Sequence, residues 1–308
     1  MESRIIKVQV EGGLGNHLFQ YAAGKYLAEK TGSRLVIDTS RIGHGMTNHG
    51  YYLNLLFRDF YEATLSSENF RFFELLKFKE RVISYLLRRN IYARNLVYKI
   101  FKIYFSDEIG FDERLFRLKK PVAIRGYFQT WKFADQLKAS NKLIPEMSNP
   151  SEWFKVMKTL AGEVKPVIVH IRRGDYRLMA ADFGLLSKSY YVNAINSLPS
   201  HLKEREIWLF SNEIDFAKEM FQFETTYDFR FISPPDDLNP AESLLLMSYG
   251  FAHIIANSTF SYWGSYLSEN SEITIAPAKW FKALSDPKDL YDPKWILEES
   301  IWEDEKSF

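Results

Sequence analysis

Apolar residues along this chain alternate between short β-branched runs and longer stretches with apolar positions at helical spacing. Ile5 to Val10 reads as a strand, and Gly12, Gly13 and Gly15 make the turn after it. Leu18, Ala22, Ala23, Tyr26 and Leu27 then recur at helical spacing, predicting a helix from Leu18 to Lys30 that Gly32 ends. Leu35 to Ile37 is the next strand. Such a β-α-β unit implies a parallel sheet.

The alternation returns in the second half. Strands are expected at Val167–Ile171, Ile207–Phe210, Phe229–Ile232, Ala252–Ile255 and Ile273–Ala276. Helices are expected between them at Tyr190–Ser197, Ile214–Gln222, Ala241–Tyr249 and Tyr262–Ser268. The stretch from Asn141 to Phe154, with two prolines and several polar residues, reads as a crossing between halves. The expectation is therefore an α/β protein of two doubly wound, Rossmann-like domains, 1–155 and 156–308, facing across a cleft.

The region between is less regular. Gly43 to Gly50 is a glycine- and histidine-rich loop, and Val122 to Tyr127 reads as a strand. Phe70 to Phe105 reads as helical, aromatic and basic, with Arg81, Arg88, Arg89, Arg94, Lys99 and Lys102 against few acids. A packed helix pair with solvated arginines accounts for it; a peripheral contact with an anionic inner membrane surface is the alternative.

Composition narrows the class. Hydrophobic residues at 46% and aromatics at 16% are ample for a core. A net charge of +1 creates no global field that attracts nucleic acid. The chain has no cysteine, which excludes disulfides and thiolate metal sites and suits a reducing compartment. No apolar run approaches the roughly 20 residues that span a bilayer, so the expectation is a cytoplasmic protein.

The most informative run is Pro166 to Tyr176, in which an apolar strand ends abruptly in Arg172, Arg173, Gly174 and Asp175. Ligands of open α/β sheets bind at the carboxyl ends of strands. Two fixed positive charges there call for an anion, best a phosphate. Pairing of both arginines with the protein's own acids is the duller alternative.

A second anion cradle is expected at Phe251 to Ser268, where a strand, a small polar turn and a helix follow one another. Ser258, Thr259 and Ser261 offer hydroxyls, and the N–H groups of a helix start favour an anion. Without a ligand these residues are N-caps. Glu242, opening another helix, either complements that helix's dipole or accepts from the N1–H and amino group of guanine; Asp236 or Asp237 offers the same geometry.

The first glycine turn invites a dinucleotide reading, with Asp38 where NAD enzymes place a ribose-binding acid. The fingerprint is incomplete, because Leu18 occupies the position of the third glycine. Asn16 and His17 sit instead at the helix start, aimed at the cleft. Asn16 is either an N-cap or a contact to a ligand hydroxyl or phosphate.

Taken in order, GGLGNHLFQYA, HIRRGDY, LFSNE and ANSTFSYWG resemble the α-1,2-fucosyltransferases of glycosyltransferase family 11, along nearly the whole chain. The resemblance implies a GT-B-type fold, GDP-β-L-fucose as donor, inversion at the anomeric carbon and no metal requirement. It implies a bacterial enzyme that places fucose on the 2-hydroxyl of a terminal galactose in a surface glycan. Arg172 resembles the arginine on the β-phosphate, with His170 lining the same pocket. Gly13, Gly15, Arg173, Asn212, Asn257, Ser258, Thr259, Phe260 and Ser261 fall in the motifs around the donor, and Glu242 matches the acid that reads guanine. Asn16 resembles the asparagine that contacts fucose, phosphate or acceptor. His17 departs from the family's usual glutamine.

The chain has no D-x-D motif, so arginine in place of a metal is the consistent chemistry, with no cofactor. The base for the acceptor proton stays open among Asp175, His17 and a weak hydrogen bond from Asn16. Two rivals stand beside this reading: an NAD(P)- or sugar-nucleotide-binding oxidoreductase built on the first glycine turn, and a carbohydrate-binding module without activity.

Overall fold

Two all-parallel sheets organise the chain. The computed structural model describes residues 5–43, 50–63, 90–118 and 123–303. By its internal contacts the chain divides into one unit of residues 1–146 with 287–292, and a second of 147–286 with 293–308.

In the first unit β1 (Ile5–Gln9), β2 (Arg34–Asp38), β3 (Tyr61–Ala63), β4 (Ile103–Phe105) and β5 (Ala123–Arg125) lie in the order β3-β2-β1-β5-β4. Every pairing is parallel. Helix α1 (Leu14–Thr31) starts earlier than its apolar repeat predicts, because Gly13 is the N-cap and its carbonyl accepts from Asn16 N at 2.9 Å. Gly15, Asn16 and His17 thus lie in the first helical turn. The helix ends as expected at Gly32, whose φ of 61° is the left-handed cap conformation. The close helix–strand approach that Leu18 denies is made two turns later: a Cβ on Gly24 would stand 2.1 Å from Val8 Cγ2.

The basic aromatic segment is a helix only in part. Helix α2 (Ile91–Phe101) begins where the Asn90 side chain accepts from Tyr92 N and Ala93 N, but Ile103–Phe105 is strand β4, hydrogen-bonded to β5. The rest of that segment, and most of the Gly43–Gly50 loop, lie outside the described residues. Helix α3 (Trp131–Ala139), capped by Thr130, had no counterpart in the sequence reading.

In the second unit β6 (Val167–Ile171), β7 (Ile207–Ser211), β8 (Phe229–Phe231), β9 (Ala252–Ile254), β10 (Ile273–Pro277) and β11 (Ile296–Glu298) lie in the order β11-β10-β9-β6-β7-β8. All residues of β6 are buried, as a central parallel strand covered on both faces requires. Val167, Val169, Ile171, Tyr190, Tyr191, Leu209, Ile254 and Ile275 belong to one apolar core.

The division falls within the expected crossing at Asn141–Phe154, whose last residues open a helix. Ser151 caps helix α4 (Glu152–Val164) by accepting from Phe154 N at 3.1 Å. A boundary at 155/156 would cut that helix, and the division falls instead between Glu146 and Met147. Residues 287–292 return to the first unit because Lys288 O accepts from Phe111 N and Asp289 O from Thr130 Oγ1.

Candidate functional site

The strand order of the second unit locates its site. From β6 the chain moves to β7 and β8 on one side, then returns to lay β9 on the other. The carboxyl ends of β6 and β9 therefore flank a topological switch point, where open sheets bind ligands. Val169 pairs with Ile254, which brings the Arg172 loop beside the Asn257–Ser258 turn. The His170 and Phe260 rings lie 5.9 Å apart, joining the two motifs.

Arg172 leaves β6 with its guanidinium on Asp175 Oδ1 at 2.5 Å and near the Tyr176 ring. Its Nε is buried without a hydrogen-bond partner among the described residues, as is His170 Nδ1. Burial, and then the Arg172 charge, lower the His170 imidazole to about 3, so it is neutral at physiological pH. A buried donor left unpaired is costly in a finished fold and natural in a site that waits for an anion.

Arg173 goes elsewhere. Its guanidinium, only 4% exposed, pairs with Glu213 at 3.3 Å and with Glu303, and lies 3.5 Å over the Phe216 ring. Asn212, also expected at the donor, accepts from Arg173 N at 3.0 Å. The motif around Asn212 thus holds the arginine loop from behind.

Helix α5 (Thr259–Tyr266) follows β9. Its N-cap, Ser258, makes no side-chain capping bond. The first bond back into the helix is Tyr262 N to Ser258 O at 2.9 Å, so the N–H groups of Thr259, Phe260 and Ser261 precede it. Ser261 donates its hydroxyl to Ser258 O and Ala256 O. Asn257 Nδ2 donates to Phe183 O and Trp280 O. These two side chains brace the turn.

Glu242 is 3% exposed near the start of the helix Pro240–Met247, whose N-cap is Asn239. Glu242 accepts from Ser151 N, Ser151 Oγ and Asn239 Nδ2, tying this helix to the N-terminus of α4. Asp236 and Asp237, on the preceding loop, are exposed.

In the first unit the switch point lies between β1 and β5. It brings together groups far apart in the chain. Gln129 donates to Asn16 Oδ1 at 3.0 Å, and Gln129 Oε1 is buried without a partner among the described residues. Gln20 accepts from Glu11 N and donates to Gly126 O, bridging the two strand ends. Glu11 also lies 3.5 Å from the Arg125 guanidinium. Gly12 has φ +84°, and a Cβ there would meet Asn16 Nδ2 at 2.6 Å. Gly13 and Gly15 serve the helix start. His17 is fully enclosed, its ring 5.9 Å from Tyr51, rather than open at the helix start. Asp38 is 4% exposed and accepts from Ser40 N.

Compared with known proteins, residues 5–299 match the model of glycosyl transferase family 11. The chain belongs to that family. Two Escherichia coli proteins are each 28% identical to it. One is the O-antigen biosynthesis glycosyltransferase WbnK, aligned over 93% of this chain and 98% of its own length; the other is an alpha-1,2-colitosyltransferase, over 95% and 98%. The fold is similar to that of the fucosyltransferase NodZ from Bradyrhizobium, with a TM-score of 0.53 at 13% identity, covering 94% of this chain and 97% of that one. A second structure of the same enzyme gives 0.51 at 12% identity, covering 86% and 92%.

This glycosyltransferase therefore has the GT-B-type α/β class its motifs implied. The oxidoreductase alternative finds no support, and the first glycine turn is a helix cap and asparagine mount in a transferase. Among the described residues no group of histidines, acids or cysteines is arranged to hold a metal ion. No described helix is long and apolar enough to cross a membrane, and nothing supports a membrane role for residues 70–105.

Proposed function

We propose that this glycosyltransferase transfers L-fucose from GDP-β-L-fucose to the 2-hydroxyl of a terminal galactose, with inversion and without a metal, in bacterial surface polysaccharide synthesis. The observation that carries the donor half is the unpartnered Arg172 Nε beside the α5 helix start, at the switch point of the second sheet. The 28% identity to an alpha-1,2-colitosyltransferase supports the α-1,2 linkage. It also favours one alternative at the donor, colitose in place of fucose.

In this reading Arg172 and the N–H groups of Thr259 and Phe260 take the diphosphate oxygens. The bond from the anomeric carbon to the β-phosphate oxygen breaks, and its electron pair leaves with GDP. The acceptor oxygen bonds to that carbon from the opposite face and gives up its proton to water. Negative charge grows on the leaving phosphate while the sugar becomes oxocarbenium-like, so preorganised donors lower the barrier without protonating GDP. Asp175, held on Arg172, orients the guanidinium. His170, neutral, lines the pocket. Because Glu242 is engaged within the fold, the exposed carboxylates of Asp236 and Asp237 are the acceptors open to a guanine edge. In the first unit, Asn16 and the buried acceptor oxygen of Gln129 bind hydroxyls of the acceptor sugar.

The test is incubation of purified protein with GDP-fucose, or with a colitose donor, and a panel of galactosides in the presence of chelator, followed by linkage analysis. An α-1,2-fucosylated galactoside is the expected product. An absolute need for Mg²⁺ or Mn²⁺ would overturn the metal-free mechanism, and transfer of colitose alone would overturn the donor.

A further inference from the structure

We propose that Glu303, the last described residue of the chain, is a positioning residue for Arg172: through Arg173 it fixes the loop that carries the diphosphate-binding guanidinium. The inference rests on the reading of Arg172 given above.

Arg172 and Arg173 are neighbours in sequence with divided tasks. Arg172 keeps an unpartnered Nε, whereas the Arg173 guanidinium is buried between two carboxylates and a phenyl ring. The backbone beside it is held equally closely. Arg173 N donates to Asn212 Oδ1 at 3.0 Å and Gly174 N to Glu213 Oε1 at 3.2 Å. Gly174 has φ +48°, and a Cβ there would meet Asn212 Nδ2 at 2.1 Å. The turn after β6 is thus fixed on one side by the end of β7 and on the other by Glu303.

Glu303 is itself anchored. Glu303 N donates to Leu185 O at 2.7 Å, Ser187 N donates to Ile301 O at 2.8 Å, and Leu186 forms a β-bridge with Trp302. The Trp302 ring covers Gly184, where a Cβ would come within 2.4 Å of it. Residues 301–303 form no strand of the six-stranded sheet, and Glu303 is the group they deliver to the arginine loop. Removing one carboxylate leaves a buried guanidinium under-paired, and the adjacent residue loses its fixed direction. Displacements of about an ångström at a reacting group are enough to cost large factors in rate.

Calorimetry with GDP and with GMP separates positioning from mere support, because the ratio of their dissociation constants reports the grip on the β-phosphate. The unmodified protein should bind GDP at least about tenfold tighter than GMP, as one charge-assisted hydrogen bond warrants. Arg172→Ala should bring the ratio close to one. Glu303→Gln should shrink it about fivefold while leaving GMP affinity unchanged, and adding it to Arg172→Ala should change the ratio no further. An intact ratio in Glu303→Gln, or equal weakening of both nucleotides, overturns the positioning role. If the unmodified protein does not prefer GDP, the diphosphate reading of Arg172 fails first. Should Glu303→Gln not fold, Glu213→Gln tests the same guanidinium from its other side by the same ratio.

Discussion

The Arg172 guanidinium rests on Asp175 at 2.5 Å, both side chains less than a fifth exposed. An arginine held by one carboxylate, with its Nε still unpaired, presents a fixed charge to a second anion. Arg172→Ala should lower kcat/KM by about 10²–10³, the usual cost of losing one preorganised donor to a developing charge. Arg172→Lys should recover little, since an ammonium cannot reproduce the planar fork. Steady-state kinetics check both.

Asp175 is spent on that pair, which argues against its acting as the base. Asp175→Asn keeps a hydrogen-bond acceptor and should cost about tenfold in kcat/KM. Loss of a true general base typically costs 10²–10⁴, so a fall in that upper range with a lost acidic limb in the pH profile would return Asp175 to the role.

Gln129 fixes the orientation of Asn16, whose Oδ1 is occupied and whose Nδ2 therefore stands over Gly12. Gln129→Leu should leave the thermal melting point unchanged or slightly raised, because it also removes an unsatisfied buried oxygen. Transfer should nevertheless fall about tenfold. Unchanged kinetics would make the pair purely structural.

How much was legible beforehand depended on whether a residue's environment was local. Strand β6 is found at the predicted residues because a wholly apolar run that ends in two charges admits few alternatives. That the Arg172 loop and the Asn257–Ser258 turn lie side by side was not read beforehand; it comes from the pairing of β6 with β9. Helix α4 was hidden: Pro145 and Pro150 just before it read as linker, although Ser151 and Glu152 carry a helix-start signal. The division of labour between Arg172 and Arg173 had no local signature, because the acids that claim Arg173 lie 40 and 130 residues away. Gln129 was missed for the same reason. A single glutamine carries no pattern until β5 is known to lie beside β1.

Acid should weaken this fold through two buried imidazoles. Burial and Arg172 lower His170 to about 3, and burial lowers His253 to about 4. The unfolded chain takes up these protons near pH 6.5. Between that pH and the folded values the unfolded state binds more protons, so stability falls as pH drops. Urea unfolding from pH 8 to 5 should show a decline below about 6.5, and His253→Gln should flatten part of it relative to the unmodified protein. Identical pH slopes in both would contradict this assignment.

Glu242 holds the junction of two helix starts. Glu242→Ala should destabilise the protein by about 1–3 kcal/mol by stranding Ser151 and Asn239 donors in a buried place. Chemical denaturation measures it. GDP affinity at subsaturating denaturant-free conditions should change less than for Asp236→Ala combined with Asp237→Ala.

A crystal structure of the protein with GDP tests the central claim most directly. The account predicts the β-phosphate within about 3.2 Å of the Arg172 guanidinium and of the Thr259 or Phe260 N–H. Nucleotide seated against Gly12, Gly13 and Asn16 of the first unit, with Arg172 still bound to Asp175 alone, would contradict it.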